Sequence, residues 1–571
     1  MYKHSIELKT KTPPKSDPNN ERGRNRGAGI SSAGAGIGRR TEWFVLAFII
    51  LCVVLIRVRL LQVPLERDEG EYAYIGRVIL RGIPPYLTAF DIKFPGSYMM
   101  YALLMALFGQ TLSGVHLGVM VVNCITIVLI YLLGKRISGG LTPIVAAAAY
   151  AFMSTNISVL GFATHVTHFV VLFTIGGLLI LFRTGQRGGS LAGYLLAGVV
   201  SGAALAVKQA ALLLILAPVC SMIVTYFAAK PRKPVRDLAL PLGGFALGVP
   251  LPLLATFGWL YLTGAFPKFW FWGVDFASRF GSQNGLAEGF QFFSMTFPSV
   301  VDGFALLWVM AALGLFTRLR GDARRADKSF IPLFALFSFL SVCPGLFFRQ
   351  HYFITLLPAV AILAGTFTDY LKKRLEKGRS SASSTGIALG VVVVAICAGL
   401  ISKQGYFFRD DVSLISRNAY GPNPFPESIP IADYIASRTG DTDRIAILGS
   451  EPQIYFYSGR DAVTPYIDTY NLMVHHPGAL AMQKEMIHDI ETSKPRYIVL
   501  AEVGGSWMAQ PNSEMYIIGW YKTYLPKYYS VVGVADIISP DLTAYRWDAE
   551  AAKYLAHNNY LLLCERKKGA E

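Results

Sequence analysis

The chain has 571 residues, of which 53% are hydrophobic and 16% are charged, and its formal net charge is +16. A soluble domain is ordinarily about 45–50% apolar and about 25% charged, so this composition argues against a soluble protein and indicates the membrane. The basic residues fall in short blocks between apolar runs, which makes membrane topology a simpler explanation than nucleic-acid binding. Five of the six cysteines lie inside apolar runs, so no disulfide framework is predicted.

The N-terminal arm is polar. Residues 1–42 are basic and rich in Gly, Ser and Pro, which predicts a disordered cytoplasmic segment. The apolar run that follows lies too far from the N-terminus for a cleaved signal peptide, so we interpret it as an anchor that the protein retains.

Eleven apolar segments follow, each close to the roughly 17–25 residues that cross a bilayer. A twelfth apolar segment, 97–109, is short and is typical of an interfacial helix or half a span. The eleven candidate spans are 43–61, 113–133, 141–158, 166–182, 191–207, 209–228, 238–262, 299–317, 330–348, 352–371 and 384–402.

The charge pattern orients these segments. With the N-terminus inside, each inner connection carries more Lys and Arg than Asp and Glu, whereas the outer connections are close to balanced. An odd number of spans then puts residues 403–571 outside. We therefore predict an α-helical polytopic protein of the cell membrane, with a cytoplasmic N-terminus and an extracytoplasmic C-terminal region.

The C-terminal region, 403–571, has the pattern of an α/β domain. Residues 444–449 and 496–500 are predicted strands, and residues 429–438 and 480–492 are predicted helices. The turn at 449–452 (Gly-Ser-Glu-Pro) follows the first strand. Such a turn is most often a simple connection, and the alternative is a turn that faces a ligand.

A dense acidic run, 66–71 (Glu-Arg-Asp-Glu-Gly-Glu), follows the first span. Asp68 and Glu71 have the Asp-x-x-Glu spacing of a helix cap. The pattern predicts an interfacial helix with Tyr72 on one face and Tyr74 and Arg77 on the other. Periodicity alone favours this capped helix, and the alternative is that the run supplies a general base.

Ionisable side chains at membrane depth are candidates for function. His165 and His168 are three residues apart, so they suit a metal shared with Asp68 or Glu69, a phosphate contact, or a plain helix start. Because zinc takes three or four ligands, no metal site is predicted, although a divalent metal stays an open alternative. The predicted topology places these candidates on the outer side: Asp68, Glu69, Lys93, His165, His168, Lys208, Arg349 and His351.

Two further features have a plain and a functional interpretation. Lys208, between two spans, extends to the interface or faces a cavity. The aromatic cluster at 266–272 is favoured as an interfacial belt, and the alternative is a flap over a cavity.

The sequence resembles a known family in these residues. Asp68-Glu69 after the first span, Lys93-Phe94-Pro95 about 25 residues on and Phe108-Gly109 before the next span are similar to the GT-C membrane glycosyltransferases. The resemblance covers roughly residues 43–400 and extends through Lys208-Gln209 and the segment 349–358. It is nearest to the protein O-mannosyltransferase-like group and the aminoarabinose transferases that modify lipid A.

The resemblance implies a GT-C fold and transfer of a sugar from a polyprenyl phosphate to a lipid, protein or glycan acceptor at the outer face, with inversion. It implies that Asp68 is the catalytic base and that Glu69 assists it. The turn at 161–168 lacks the second acid that related enzymes often carry, which puts the division of catalytic labour in doubt. The implied substrate-binding residues are Lys93, His165, His168, Lys208, Arg349, His351 and Tyr352.

Two rival functions come from other classes. A flippase or transporter of lipid-linked sugars would use the same cationic cavity without Asp68 as a base, but the sequence shows no clear inverted repeat. A non-catalytic scaffold would present the C-terminal domain, but it leaves the polar outer residues without a role.

Overall fold

The computed structural model describes residues 38–229, 231, 234–320 and 329–569. Most of the predicted N-terminal arm therefore lies outside the described residues. The first helix begins at Arg39, so the last residues of that predicted arm are helical.

Helices α1 to α17, between residues 39 and 402, form the membrane region and the segments that connect its helices. Residues 270–276 continue the short helix α11 as a π-helix. The helices are α1 (Arg39–Arg59), α2 (Arg67–Leu80), α3 (Pro95–Phe108), α4 (Leu112–Ile137), α5 (Thr142–Met153), α6 (Thr167–Gln186), α7 (Leu191–Val207), α8 (Ala211–Ala228), α9 (Arg236–Gly248), α10 (Leu251–Leu262), α11 (Phe266–Phe269), α12 (Ala277–Gly281), α13 (Leu286–Val301), α14 (Ala305–Arg320), α15 (Phe330–Leu340), α16 (Leu357–Leu375) and α17 (Ser381–Ser402).

Among the described residues, six helices are long and apolar enough to cross a bilayer, with α9 and α10 counted as one. A seventh span results if α13 and α14, which are bent by 107°, are taken together. The span count of eleven is thus not confirmed. At about 1.5 Å rise per residue, shorter apolar helices such as α5 do not cover the hydrocarbon core alone.

The predicted span 299–317 is wrong at its start. Helix α13 ends at Val301 and α14 begins only at Ala305. Gly303 between them has φ of +87°, a conformation that ends a helix and that glycine adopts without strain. The chain therefore turns sharply where the sequence predicted a straight helix.

The C-terminal region alternates helices and strands. The elements are α18 (Val412–Tyr420), α19 (Phe425–Ala436), β1 (Arg444–Leu448), α20 (Gln453–Ser458), β2 (Asp461–Ala462), α21 (Tyr470–Met473), α22 (Ala479–Ser493), β3 (Tyr497–Glu502), α23 (Gly504–Trp507), α24 (Tyr516–Tyr528), β4 (Tyr529–Ser539), β5 (Leu542–Trp547), α25 (Asp548–Ala551) and β6 (Tyr560–Arg566). The strands form a six-stranded mixed sheet in the order β2-β1-β3-β6-β4-β5. Strands β1, β2 and β3 are parallel, and β6, β4 and β5 add antiparallel pairs. The predicted strands and helices at 444–449, 496–500, 429–438 and 480–492 correspond to β1, β3, α19 and α22.

Helix α2 lies between the membrane helices and the sheet domain. Its inner face packs on α3 through Tyr72, and its other face meets the sheet domain. There the Arg77 guanidinium donates to the carbonyl oxygens of Phe456 and Arg460, and the Ala462 N–H donates to the Tyr74 hydroxyl. The predicted polar face is therefore covered by protein, which fixes the position of α2 from both sides.

Candidate functional site

Helix α2 is capped two residues earlier than the sequence predicted. Glu66, not Asp68, is the N-cap: its side chain accepts from the Glu69 N–H, and the Glu69 side chain accepts from the Glu66 N–H. The predicted Asp68–Glu71 cap is therefore wrong, because the same spacing occurs two residues upstream. The Asp68 carboxylate therefore does not cap the helix. Asp68 instead lines a cavity of about 420 Å³.

The cavity lies where several connections between the membrane helices meet the sheet domain. Six of the seven substrate-binding candidates from the sequence line it together with Asp68. They are Lys93, His165, Lys208, Arg349, His351 and Tyr352.

Lys93 is the cation nearest to Asp68. Its ammonium lies 3.8 Å from an oxygen of Asp68 and 3.8 Å from an oxygen of Asp91. Two buried tyrosines hold the loop that carries Lys93. The hydroxyls of Tyr86 and Tyr98 donate to the Lys93 carbonyl, and the Tyr98 hydroxyl also donates to Asp91. These contacts hold the backbone at Lys93 and the Asp91 carboxylate that lies beside the ammonium.

The charges in the cavity determine the protonation states of both groups. Burial alone would raise the pKa of the Asp68 carboxyl, but the charges of Lys93 and Arg349 outweigh it and hold that pKa below its usual range. Burial alone would lower the pKa of the Lys93 ammonium, but Asp68 and Asp91 raise it well above its usual range. Both groups are therefore charged at neutral pH.

Lys208 reaches the cavity from the end of α7. The Ser97 hydroxyl donates to the Val207 carbonyl at 2.9 Å, and a Cβ at Gly96 would collide with the Ala206 carbonyl, so glycine allows α3 to approach α7 closely. The Lys208 ammonium lies 3.9 Å from the centre of the Tyr352 ring. Burial, together with repulsion from Lys93, lowers the pKa of Lys208 to about 7.

His165 and His351 stack in the cavity wall, with ring centroids 3.9 Å apart and planes at 13°. Burial lowers the pKa of His165 to about 4, so this imidazole is neutral at physiological pH. Ligand atoms of Asp68, His165 and His351 all lie within 4.8 Å of one another. A carboxylate and two neutral imidazoles are ligands that zinc accepts, although bonds of about 2.0–2.1 Å would require the set to contract. A divalent metal here stays an open alternative.

Two of the sequence candidates do not line the cavity. Glu69 is fully buried beneath it, where its carboxylate accepts from the Thr164 N–H and lies 3.2 Å from Nε2 of His116. Glu69 thus joins α2 to α4 and to the turn that carries His165. His168 is buried in the first helical turn of α6, directly after the connection that carries His165.

Two parts of the cavity lining were not among the candidates from the sequence. The segment that follows the aromatic cluster at 266–272 supplies Gly273, Val274 and Ala277, while Trp272 stacks on Phe90. The interfacial belt favoured for that cluster stays a prediction. The sheet domain supplies a second wall. Its lining residues are Asp468, Tyr470, Asn471 and Met508, and the turn at 449–452 is a sequence signal close to them.

An apolar groove adjoins the cavity on the side of the membrane helices. It measures about 320 Å³ and shares Val207 with the cavity. Helices α3, α6, α7 and α10 supply its walls, including Met99, Phe173, Pro252 and Trp259. A charged cavity and an apolar groove between membrane helices therefore lie side by side.

Comparison with known sequences gives two matches. A family model described as dolichyl-phosphate-mannose-protein mannosyltransferase matches residues 93–253. The undecaprenyl phosphate-alpha-4-amino-4-deoxy-L-arabinose arabinosyl transferase of Pseudomonas aeruginosa is 27% identical over 381 residues, which cover 63% of this chain. The match spans 66% of that relative's length.

Two solved structures share the fold. ArnT from Cupriavidus metallidurans bound to undecaprenyl phosphate gives a TM-score of 0.58 at 17% identity, covering 91% of this chain and 98% of that one. The apo oligosaccharyltransferase of Archaeoglobus fulgidus gives 0.55 at 14% identity, covering 91% and 76%. The chain is thus a multi-pass membrane protein with the fold of these proteins. The family match and the curated relative support an enzyme of the GT-C glycosyltransferase type, which confirms the resemblance predicted from the sequence.

Proposed function

We propose that the protein transfers a sugar from a polyprenyl-phosphate donor to an acceptor hydroxyl at the extracytoplasmic face of the membrane. The observation that carries this proposal is the placement of the Asp68 carboxylate beside Lys93 in a cavity that an apolar groove adjoins. The site thus combines a base, cations and an apolar surface for a lipid. The names of the curated relative and of the undecaprenyl phosphate complex are consistent with a donor of this class.

The donor fits the cavity in two parts. The polyprenyl chain occupies the groove between α3, α6, α7 and α10, which is lined by apolar side chains. The phosphate lies among Lys93, Lys208 and Arg349, which come from three separate connections. Fixed cations stabilise the charge that develops on a leaving phosphate without reorganising during the reaction.

Asp68 acts as the base that takes the proton of the acceptor hydroxyl. The hydroxyl oxygen then forms the new bond to the anomeric carbon, the bond from that carbon to the phosphate oxygen breaks, and the configuration inverts. In the free enzyme Lys93 and Arg349 lower the pKa of Asp68 and so make it a weak base. A bound phosphate shares those cations, which raises the pKa of Asp68 toward the range where a carboxylate accepts protons efficiently. Glu69 positions the turn at 161–165 rather than touching substrate.

The orientation of the protein follows from this function and from the charge pattern. The basic connections lie inside, and the cavity, the sheet domain and the C-terminus lie outside.

The test is sugar transfer by membranes that contain the protein and a radiolabelled polyprenyl-phosphate sugar. Asp68→Asn keeps the size of the side chain and removes the base, so we expect transfer to fall about 10²–10⁴-fold at equal expression. Binding of the donor should remain. Asp433→Asn, an exposed change in α19 of the sheet domain, is the matched control and should transfer normally.

Unchanged transfer by Asp68→Asn would remove Asp68 from the mechanism. If neither form transfers sugar while both move the donor across the membrane, the protein is a transporter and the proposed function is wrong.

A further inference from the structure

The sheet domain meets the membrane region through the carboxyl ends of its parallel strands. Strand β1 lies between β2 and β3 and is parallel to both. The chain leaves β1 toward β2 and later returns to β3 on the opposite side, so the carboxyl ends of β1 and β3 form a topological switch point. In open α/β sheets, ligands bind at such a point.

This edge of the sheet is fixed beside Asp68. The Arg67 guanidinium on α2 donates to the Ser450 carbonyl at 2.6 Å and pairs with Glu451 at 3.3 Å. The Ser450 N–H donates to the Ser506 hydroxyl at 2.8 Å, which ties the connection after β1 to the one after β3. The Tyr470 N–H donates to the Ser450 hydroxyl at 2.9 Å. The segment 468–471 is thereby held at the cavity.

Asn471 is the residue of this segment with an unused polar atom. Its side chain is 3% exposed and lines the cavity. Within the described part of the chain, its Oδ1 has no hydrogen-bond partner. A buried acceptor without a partner is destabilising. By contrast, the neighbouring Asp468 already accepts from the Tyr470 N–H at 2.8 Å. A bound group is therefore the natural partner for Asn471.

The chemistry of the donor restricts what that partner is. An amide oxygen accepts only from an O–H or N–H group. A polyprenyl chain has neither group, and the ionised phosphate that links it to a sugar has none. The hydroxyl and amino groups of the sugar ring are the part of the donor that can donate.

We propose that the sheet domain recognises the sugar of the donor, with Oδ1 of Asn471 accepting a hydrogen bond from a hydroxyl or amino group of the ring. This inference rests on the proposed function. It assigns the sheet domain a role in sugar specificity, while the membrane helices hold the phosphate and the lipid.

The test compares lipids with and without a sugar, using the full-length protein in detergent. The probes are undecaprenyl phosphate, undecaprenyl phosphate mannose and undecaprenyl phosphate 4-amino-4-deoxy-L-arabinose. Asn471→Leu keeps a similar volume without an acceptor, and Asn471→Asp keeps an acceptor oxygen. Asn558→Leu, an exposed change in the same domain, is the control.

We expect the unmodified protein to bind one sugar-bearing lipid more tightly than undecaprenyl phosphate. Asn471→Leu should lower the affinity for that sugar-bearing lipid about 10-fold or more, as expected when a buried hydrogen bond is lost. Its affinity for undecaprenyl phosphate should not change, which also shows that the variant is folded. Asn471→Asp should retain most of the preference, and Asn558→Leu all of it.

Several outcomes would overturn the inference. In Asn471→Leu, these outcomes are an equal loss of affinity for lipids with and without a sugar, no loss of affinity, or a rise only in the KM for the acceptor. An unmodified protein that binds all the lipids equally would overturn it as well. If the unmodified protein binds no polyprenyl phosphate in any form, the proposed function is wrong and the inference falls with it.

Discussion

The two walls of the cavity differ in charge. Among the described residues that line it, the membrane region contributes Arg67, Lys93, Lys208 and Arg349, whereas the sheet domain contributes no basic side chain. The sheet-domain wall has Asn471, Tyr470 and Met508, with one acid, Asp468, that is already hydrogen-bonded. Under the proposed function, this difference separates two tasks. Cations suit the phosphate of a lipid donor, and hydrogen-bonding groups with fixed geometry suit its sugar.

The largest effect expected from this comparison is on the cationic wall. Arg349 is exposed to the cavity, so Arg349→Met removes a cation without leaving a buried partner unpaired. A charge-assisted hydrogen bond to phosphate is worth about 1.5–3 kcal/mol. We expect affinity for undecaprenyl phosphate to fall about 10–100-fold. Titration of the purified protein with this lipid measures the loss.

The matched control is Arg279→Met, the same change at an exposed position in α12 that does not line the cavity. It should bind the lipid like the unmodified protein. An equal loss in both variants would mean that Arg349 acts through the overall positive charge and not by contact. A normal affinity in Arg349→Met would contradict the division between the two walls.

A smaller effect is expected from pH, through Lys208. With a pKa of about 7, this ammonium is charged below neutral pH and loses its proton as the pH rises. Binding of an anion favours the charged form, so the affinity for undecaprenyl phosphate should fall about fivefold between pH 7 and pH 8. The second ionisation of a phosphate monoester lies near 6, so the charge of the lipid changes little over this range.

Lys208→Arg provides the comparison for this pH effect, because a guanidinium stays charged at these pH values. Its binding curve should be nearly flat from pH 7 to pH 8. If the variant retains the full pH dependence of the unmodified protein, another group titrates and Lys208 is not the sensor.

Much of the cationic wall could be predicted from the sequence. The alternation of basic and balanced connections places Asp68, Lys93, Lys208 and Arg349 on one side of the membrane, and in the structure they line one cavity. The predicted topology is sufficient to expect that these residues lie close together, because the loops at one end of a helix bundle are near one another. The family resemblance then attached roles to these residues, and their catalytic roles stay predictions.

The sheet-domain wall could not be predicted in the same way. Asn471 reaches the cavity through contacts between segments almost 400 residues apart, such as that of Arg67 with Ser450, and no periodicity encodes such docking. The predicted cap of α2 was wrong for a local reason, because Glu66–Glu69 and Asp68–Glu71 have the same spacing and the sequence does not distinguish them. The bend at Gly303 was missed because the apolar residues on both sides were interpreted as one span, although Asp302-Gly303 between them is a dipeptide typical of turns.

The smallest effect concerns what holds the sheet-domain wall in place. Arg81 makes a bidentate pair with Asp461 at 3.0 and 2.8 Å, but both side chains are more than a third exposed. Arg81→Ala should therefore lower the free energy of unfolding by less than about 1 kcal/mol and leave sugar transfer unchanged. Thermal unfolding in detergent and the transfer assay measure the two effects.

Arg77→Met is the contrasting variant on the same helix. It leaves the buried carbonyls of Phe456 and Arg460 without their donor, which costs roughly 1–3 kcal/mol. If the wall is held by such buried contacts, Arg77→Met should reduce stability and transfer together while Arg81→Ala changes neither appreciably. A larger loss in Arg81→Ala than in Arg77→Met would mean that the surface pair, and not the buried face of α2, positions Asn471.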